Sequence, residues 1–297
     1  MRTTKRFTPA VLDRFFRTGR GLGSMDDYIP WHRVGRGDPA SHGRSHLQTW
    51  NGRQRELLSD HEWVEVFFAV MLPNLVDLRE QFPLSMEGGA HELTTYRVDA
   101  PQGNYPGTGE LAERLKIKHP KVTGDGETDD WVPTTDLLLT LRSSTGILEL
   151  LAISLKPKGA LTKRQLKLLD LEKAYWDARG VEWLLITPSQ FDERVGLTLR
   201  CSMPWALGEK VADSDKGIAA TFVSDFYGCS LTFLLKQLSN HFGDMDHGQR
   251  AFWQGVWCGK IPMDLRRDWR PHHPIALLSS EDFWSLNPIA SRRSAWN

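Results

Sequence analysis

Asp136-Leu137-Leu138-Leu139-Thr140-Leu141-Arg142, then the turn Ser143-Ser144-Thr145-Gly146, then Leu148-Glu149-Leu150-Leu151-Ala152-Ile153-Ser154-Leu155-Lys156: these residues decide the fold. Both apolar runs are short and bounded by turn residues, which predicts two strands joined as a hairpin. The second run is apolar on both faces, the pattern of a central strand covered on both sides. Pro157 ends it, because proline has no N–H to give to a sheet ladder. A helix is expected over 162–178, opened by a capping box of Thr162 with Gln165 and closed by Gly180. A further strand is expected over 181–187. Strand, strand, helix and strand around one buried sheet predict a mixed α/β layer architecture.

Upstream, Ser59 and Glu62 form a second capping box, followed by the stripe Trp63, Val66, Phe67 and Val70 and the stop Pro73-Asn74. A strand is predicted over 76–83, and the interval 87–131, rich in Gly, Pro and charge, is predicted as loop. The first sixty residues read as one amphipathic helix (Val11, Leu12, Phe15, Phe16), stopped by Gly19, Gly21 and Gly23, and then a long loop anchored by Tyr28-Ile29-Pro30-Trp31. Beyond Pro188 the pattern changes. A boundary between 190 and 220 gives two expected domains, 1–200 with a basic amino-terminal arm and 201–297. The second domain has a helix from Ser230 closed by Gly243, and another carrying Phe252, Trp253, Val256 and Trp257 closed by Gly259. Strands over 260–265 and 275–278 would complete a winged-helix pattern, with a generic small helical bundle as the alternative.

The 297 residues carry 37 basic and 37 acidic side chains, so any nucleic-acid site has to be local. The stretch to residue 55 offers one, with Arg2, Lys5, Arg6, Arg14, Arg17, Arg20, Arg33, Arg36, Arg44, Arg53 and Arg55. Cys201, Cys229 and Cys258 contain no CxxC pair, which excludes a zinc ribbon or a disulfide framework and suits a reducing cytosol. No apolar run is long enough to span a bilayer, and the opening segment lacks the apolar region of a secretory signal.

The chemistry gathers at the strand ends. Ser154 and Lys156, two apart, point to one side of the sheet, and Asp136 opens the neighbouring strand. With a helical glutamate from elsewhere in the chain, this set can hold a hard divalent ion through oxygen atoms. The ion would stabilise phosphate charge and acidify its water, and a lysine of lowered pKa would orient that water or take its proton. The residues alone leave open the plainer reading, surface charges at strand ends. Glu172, on the helix after Lys156, could reach the cleft and is, with Ser154, a possible additional site residue, although a surface acid is the simpler reading.

The chain resembles the TnsA family, the endonuclease subunit of heteromeric transposases of the Tn-seven class. The resemblance rests on stretches in the family's order: Gly19-Arg20-Gly21, Asp27-Tyr28-Ile29-Pro30-Trp31, Gly43-Arg44-Ser45-His46, and Leu57-Leu58-Ser59-Asp60-His61-Glu62. Asp77-Leu78-Arg79-Glu80-Gln81-Phe82-Pro83-Leu84, Ile117-Lys118-His119-Pro120, Thr135-Asp136-Leu137-Leu138, Leu155-Lys156-Pro157 and Leu171-Glu172-Lys173-Ala174-Tyr175-Trp176 follow. It implies a restriction-endonuclease-like PD-(D/E)xK core, a central mixed sheet flanked by helices, followed by a small, mostly helical, winged-helix-like domain. It implies Mg²⁺, replaceable by Mn²⁺, held by Glu62, Asp136 and the carbonyl of Leu155, with Lys156 assisting the attacking water. Arg17, Arg20 and Arg44 would meet the DNA backbone. The implied partners are the duplex ends of the transposon, a TnsB-like transposase and, through the carboxy-terminal domain, a TnsC-like ATPase, in a bacterial cytoplasm. Position 154 departs from the pattern: the nuclease superfamily has Glu, Asp or Gln there and this chain has serine. Two further readings stay open, a stand-alone restriction or repair nuclease and, because of Ser154, a non-catalytic DNA-binding adaptor.

Overall fold

The computed structural model describes residues 6–41, 44–97 and 100–296. Arg2 and Lys5 of the basic arm and Gly43 lie outside them. The chain divides into two units, 1–63 with 74–187 and Trp296, and 64–73 with 188–295.

The first unit starts with α1 (Pro9–Arg17), capped by Thr8, whose hydroxyl accepts from the Val11 amide. A hairpin of β1 (His46–Trp50) and β2 (Arg53–Leu57) follows, then α2 (Asp60–Val70) and β3 (Leu75–Pro83). Next come α3 (Thr108–Arg114), a hairpin of β4 (Lys121–Gly124) and β5 (Glu127–Asp130), then β6 (Thr134–Arg142) and β7 (Leu148–Leu155). The unit closes with α4 (Lys163–Asp177) and β8 (Glu182–Ile186).

Both hairpins correct the expectation of loop, and so does α3. Their turns are Asn51-Gly52 and Asp125-Gly126, with all four residues at φ between 48° and 83°. Asn-Gly and Asp-Gly are the pairs that fill two-residue hairpin turns, because both positions need positive φ. The signal was in the sequence, but the charged residues flanking each turn hide the strands from a hydrophobic pattern.

The central sheet runs in the order β3-β6-β7-β8. β6 is antiparallel to β3 and to β7, while β7 and β8 are parallel, joined by α4 as the crossover. One face of the sheet packs Leu138, Ala152, Trp183 and Leu185 against Leu169, Trp176 and Leu171 of α4 and Leu111 and Ala112 of α3. Each fully buried leucine of this layer contributes about 1.5–3 kcal/mol. The capping box on α4 is present in full, with Thr162 and Gln165 exchanging bonds. A smaller cluster of Leu12, Phe15, Trp31, Val122 and Val132 packs the amino-terminal helix onto the 121–130 hairpin.

The second unit is helical: α5 (Glu193–Ala206), α6 (Asp213–Asp225), α7 (Leu231–Phe242), α8 (Met245–Trp257) and α9 (Ser280–Ser285). Ser230 caps α7 and Gly243, at φ 73°, closes it. A boundary at 200 would cut α5 in two; the division falls at 187/188, and 64–73 join the second unit. Gly196 and Pro204 inside α5 blur its pattern. The two expected strands shrink to a single bridge, Met263↔Leu277, with Asp264 N donating to Ala276 O (2.8 Å) and Leu278 N to Pro262 O (2.8 Å). Pro262, Pro271 and Pro274 deny the ladder donors, and Asp264 instead caps a 3-10 turn over Leu265–Arg267. Among the described residues no helix is long and apolar enough to cross a membrane.

Within this unit Glu65 is buried on α2, and one of its carboxylate oxygens has no partner among the described residues. Burial pushes its carboxyl up to about 8, with Arg293 opposing only in part. A carboxyl raised in the folded state keeps its proton there while the unfolded chain has lost it. Stability therefore falls as pH rises from about 4.5 to about 8. Glu65→Gln is expected to flatten that decline and to be more stable than the natural protein at alkaline pH by roughly 1–4 kcal/mol. Urea denaturation at a series of pH values checks it, and parallel pH curves for the two proteins would refute it.

Candidate active site

The ladder between β6 and β7 stops at Leu137↔Ile153, although β7 stays paired to β8 as far as Leu155↔Ile186. Beyond the stop, the amide of Leu155 donates to Asp136 Oδ2 at 2.6 Å, to a side chain rather than to the neighbouring backbone. The two strands therefore part at a carboxylate. Lys156, the next residue, places Nζ 3.5 Å from the same Asp136 oxygen and donates to the Leu155 carbonyl at 2.8 Å. Burial pulls the Lys156 pKa down, but the charges of Asp136 and Glu172 and the hydrogen bond to Asp136 outweigh it, so the net direction is up. Burial by itself therefore does not bring the Lys156 pKa below its ordinary value; the lowering expected was from burial together with a bound cation. Lys156 is an ammonium at neutral pH.

Glu62 comes from the first turn of α2. Ser59 accepts from the Glu62 amide (3.2 Å), and the Glu62 carboxylate takes the Leu58 amide (2.8 Å), the Ser59 hydroxyl (3.3 Å) and the Gln81 side-chain amide (2.9 Å). The predicted capping residues are thus present, with the glutamate bonding the Leu58 amide. Burial, then the charge of Asp136, pushes the Glu62 carboxyl up to about 8. The charge of Asp136 thus disfavours the ionised form of Glu62.

Glu172 corrects the expectation of a surface acid. Its side chain is 7% exposed and accepts from Thr135 Oγ1 (2.7 Å), from the Ser154 hydroxyl and from Trp183 Nε1 (3.3 Å). Thr135 in turn accepts from Trp176 Nε1 at 2.8 Å, and Ser154 from Trp183 Nε1 at 2.9 Å. Burial holds the Glu172 carboxyl above its ordinary value, Lys156 opposing. α4 thus brings a carboxylate to the Ser154 hydroxyl.

Gln81 is a site residue the sequence does not mark, bonded to Glu62, and His32 is a buried residue that feels the charge of Asp136. The pairs Glu80↔Leu137 and Phe82↔Thr135 bracket Gln81 opposite Asp136, yet Gln81 sits at φ 51°, in the left-handed region, within a strand. That turn sends its carbonyl to the Trp31 amide (3.2 Å) and its side chain to Glu62. Left-handed backbone in a residue other than glycine costs about 1–3 kcal/mol and persists where the surroundings over-determine it. His32 is buried and stacked on Trp131, and burial lowers its pKa to about 4 against the charge of Asp38; Asp136 also acts on it. Nothing in the local sequence marks either residue, since both depend on a contact made across the fold.

Of the three arginines expected at DNA, Arg20 is committed inside the unit: it donates to Asp38 (2.6 Å) and to the Trp31 carbonyl (2.8 Å) and lies 3.7 Å from the centre of the Phe15 ring. Arg17 is exposed at the end of α1, and Arg44 is exposed, 3.8 Å from Asp60. Arg53 and Arg55 are buried against Glu80, and Arg33 binds Glu56. Much of the basic arm is therefore neutralised within the fold. Among the described residues no three His, Cys, Asp or Glu side chains form a ready metal cage. The oxygens of Asp136, Glu62 and Leu155 are nonetheless the hard donors that Mg²⁺ takes, and the chain's own ammonium already rests against two of them.

A mixed sheet flanked by helices, with an acid–lysine cluster where its central strands part, defines an α/β protein consistent with a nuclease. Residues 73–188 match the family model described as TnsA-like endonuclease N terminal, which spans Asp136, Lys156 and Glu172 and leaves Glu62 outside. The chain is also similar to the transposon Tn7 transposition protein TnsA of Escherichia coli, 30% identical over 210 residues, 70% of this chain and 66% of that protein's length. The chain belongs to the TnsA-like endonuclease family.

Proposed function

We propose that this protein is the endonuclease subunit of a Tn7-like transposition system, hydrolysing phosphodiesters at the 5′ ends of the transposon beside a TnsB-like transposase in the bacterial cytoplasm. The observation that carries this reading is the meeting of Asp136, Lys156 and the Leu155 carbonyl where β6 and β7 part, with Glu62 coupled to Asp136. Glu62, Asp136 and the Leu155 carbonyl would hold Mg²⁺ or Mn²⁺, which when bound supplies an acidified water and charge stabilisation on the phosphate. Lys156, as an ammonium, orients the attacking water and offsets charge building on the phosphate oxygens. Gln81 orients Glu62, and Glu172 with Ser154 fixes the end of β7; both are positioning residues. The first unit is read as a PD-(D/E)xK core whose second acid comes from a helix. α7 and α8, with the Met263↔Leu277 bridge, are read as a reduced winged helix that docks a TnsC-like ATPase.

The test combines the protein with its partner transposase and a DNA carrying transposon ends. Release of 5′ flanking DNA is expected with Mg²⁺, to be lost in chelator, and to be lost with Lys156→Ala. Equal cutting by Lys156→Ala and the natural protein would overturn the reading. Cutting of any duplex by the isolated protein would favour the stand-alone nuclease.

A further inference from the structure

The motif Ile117-Lys118-His119-Pro120 plays no part in the cluster just described, and its surroundings are unusual for a chain of zero net charge. Ile117 is buried in the main core with Leu111 and Leu169. Its neighbours Lys116 and Lys118 are consequently exposed, Lys116 at φ 55°. On one side stands β4, where Val122 is buried and Lys121 and Thr123 face outward. On the other stands the start of α4, with Lys163, Arg164 and Lys167 exposed. Lys163 and Lys167 are four residues apart and share a helix face with Arg164 beside them. These elements line a groove of about 870 Å³ that also presents the hydroxyls of Thr123 and Thr128, which pair directly across β4 and β5.

Six cations line the groove and no carboxylate does. Lys121 has an acid nearby, Asp130 at 3.5 Å. Among the described residues, Lys116, Lys118, Lys163, Arg164 and Lys167 form no ion pair with the chain. Lys163 and Arg164 are set against the stability of their own helix: the first turn holds no acid, and cations at a helix N-terminus oppose its dipole. A fold that spends its amino-terminal arginines on internal acids keeps these cations for something outside itself.

We propose that this groove is a second DNA-contact surface, taking the phosphate backbone of duplex DNA without reading its bases. The inference rests on the nuclease reading, and names where the substrate is held away from the cut. Charge complementarity selects the ligand: separate cations on three elements suit a run of phosphates, and the threonine hydroxyls suit phosphate oxygens. From Lys156 to Lys163 the chain can reach at most about 25 Å. One helical turn of duplex, about 34 Å, is long enough to engage both places.

The experiment uses the full chain, a duplex of about 20 base pairs labelled with a fluorophore, no divalent ion, and salt varied from about 50 to 300 mM. A variant with Lys118, Lys163, Arg164 and Lys167 each changed to alanine is expected to lower the slope of log affinity against log salt by about 3–4. Replacing Lys118, Lys163 and Lys167 by arginine should keep the slope. All the positions are exposed, and an unchanged melting temperature verifies the fold. An unchanged slope in the alanine variant overturns the proposal. So does loss of binding to a poly-aspartate peptide while the DNA slope stays, which would assign the groove to an acidic protein. Binding is read without cleavage, so the two readings fail separately. A protein that cuts, with a groove variant of unaltered slope, sinks the groove; a protein with the predicted slopes whose Lys156→Ala form cuts normally sinks the nuclease.

Discussion

Asp136→Asn is expected to lower the rate of strand cutting by about 10³-fold or more while leaving the protein folded. The amide keeps the shape of the carboxylate and an oxygen that can still accept from the Leu155 amide, so the parting of β6 and β7 survives. What disappears is the charge. Without it Glu62 is the one carboxylate left among the proposed ligands to balance a divalent ion, and Lys156 loses the strongest influence holding its pKa up. Glu62 loses the neighbouring charge that helps to keep it protonated. The measurement is single-turnover cutting of transposon-end DNA at saturating Mg²⁺, beside a thermal melt. A variant that cuts within about tenfold of the natural protein would remove Asp136 from the chemistry.

Glu172→Ala is expected to cost about 3–5 kcal/mol of stability. The carboxylate is the shared acceptor for Thr135, Ser154 and Trp183, and deleting it strands several buried donors together. For a unit of this size that is a fall in melting temperature of roughly 6–20 °C. Glu172→Gln keeps an acceptor oxygen and should fold better, and it isolates the electrical part of the role. The Glu172 charge raises the Lys156 pKa, so removing it lets the ammonium lose its proton at lower pH. The alkaline limb of the pH–rate curve should therefore move to lower pH in Glu172→Gln. A merely structural residue would leave that limb in place. An unaltered melting temperature in Glu172→Ala would show that the network has been misread.

The parts of this fold legible in sequence are those whose cause is local. The two strands around 136–156 follow from apolar runs and a turn, and α4 from its capping pair Thr162 and Gln165. Asp136 and Lys156 were visible because strand ends can be located from such runs. Glu62 was named through family likeness, and its reciprocal bonds with Ser59 show the local reason for its place. Glu172 was legible only as a possible site residue, with a surface acid as the simpler reading, because burial is a property of the packed helix: three bonds from β6, β7 and β8 make it internal, and none is encoded near residue 172. Gln81 escaped because a strand pattern gives no warning of a left-handed residue. Arg20 was expected at DNA from its glycine-rich setting and the family resemblance, and Asp38, eighteen positions away, binds it.

The bond from the Leu155 amide to Asp136 gives the molecule an internal reporter. Most backbone protons in a sheet sense only their ladder, which changes little while the protein stays folded. This one is shared with an ionisable group at the point of interest, so protonation of the acid or arrival of a positive ion must alter its magnetic environment and its exchange with solvent. A single resonance can then follow the occupancy of the site in solution, without a label, a substrate or a turnover.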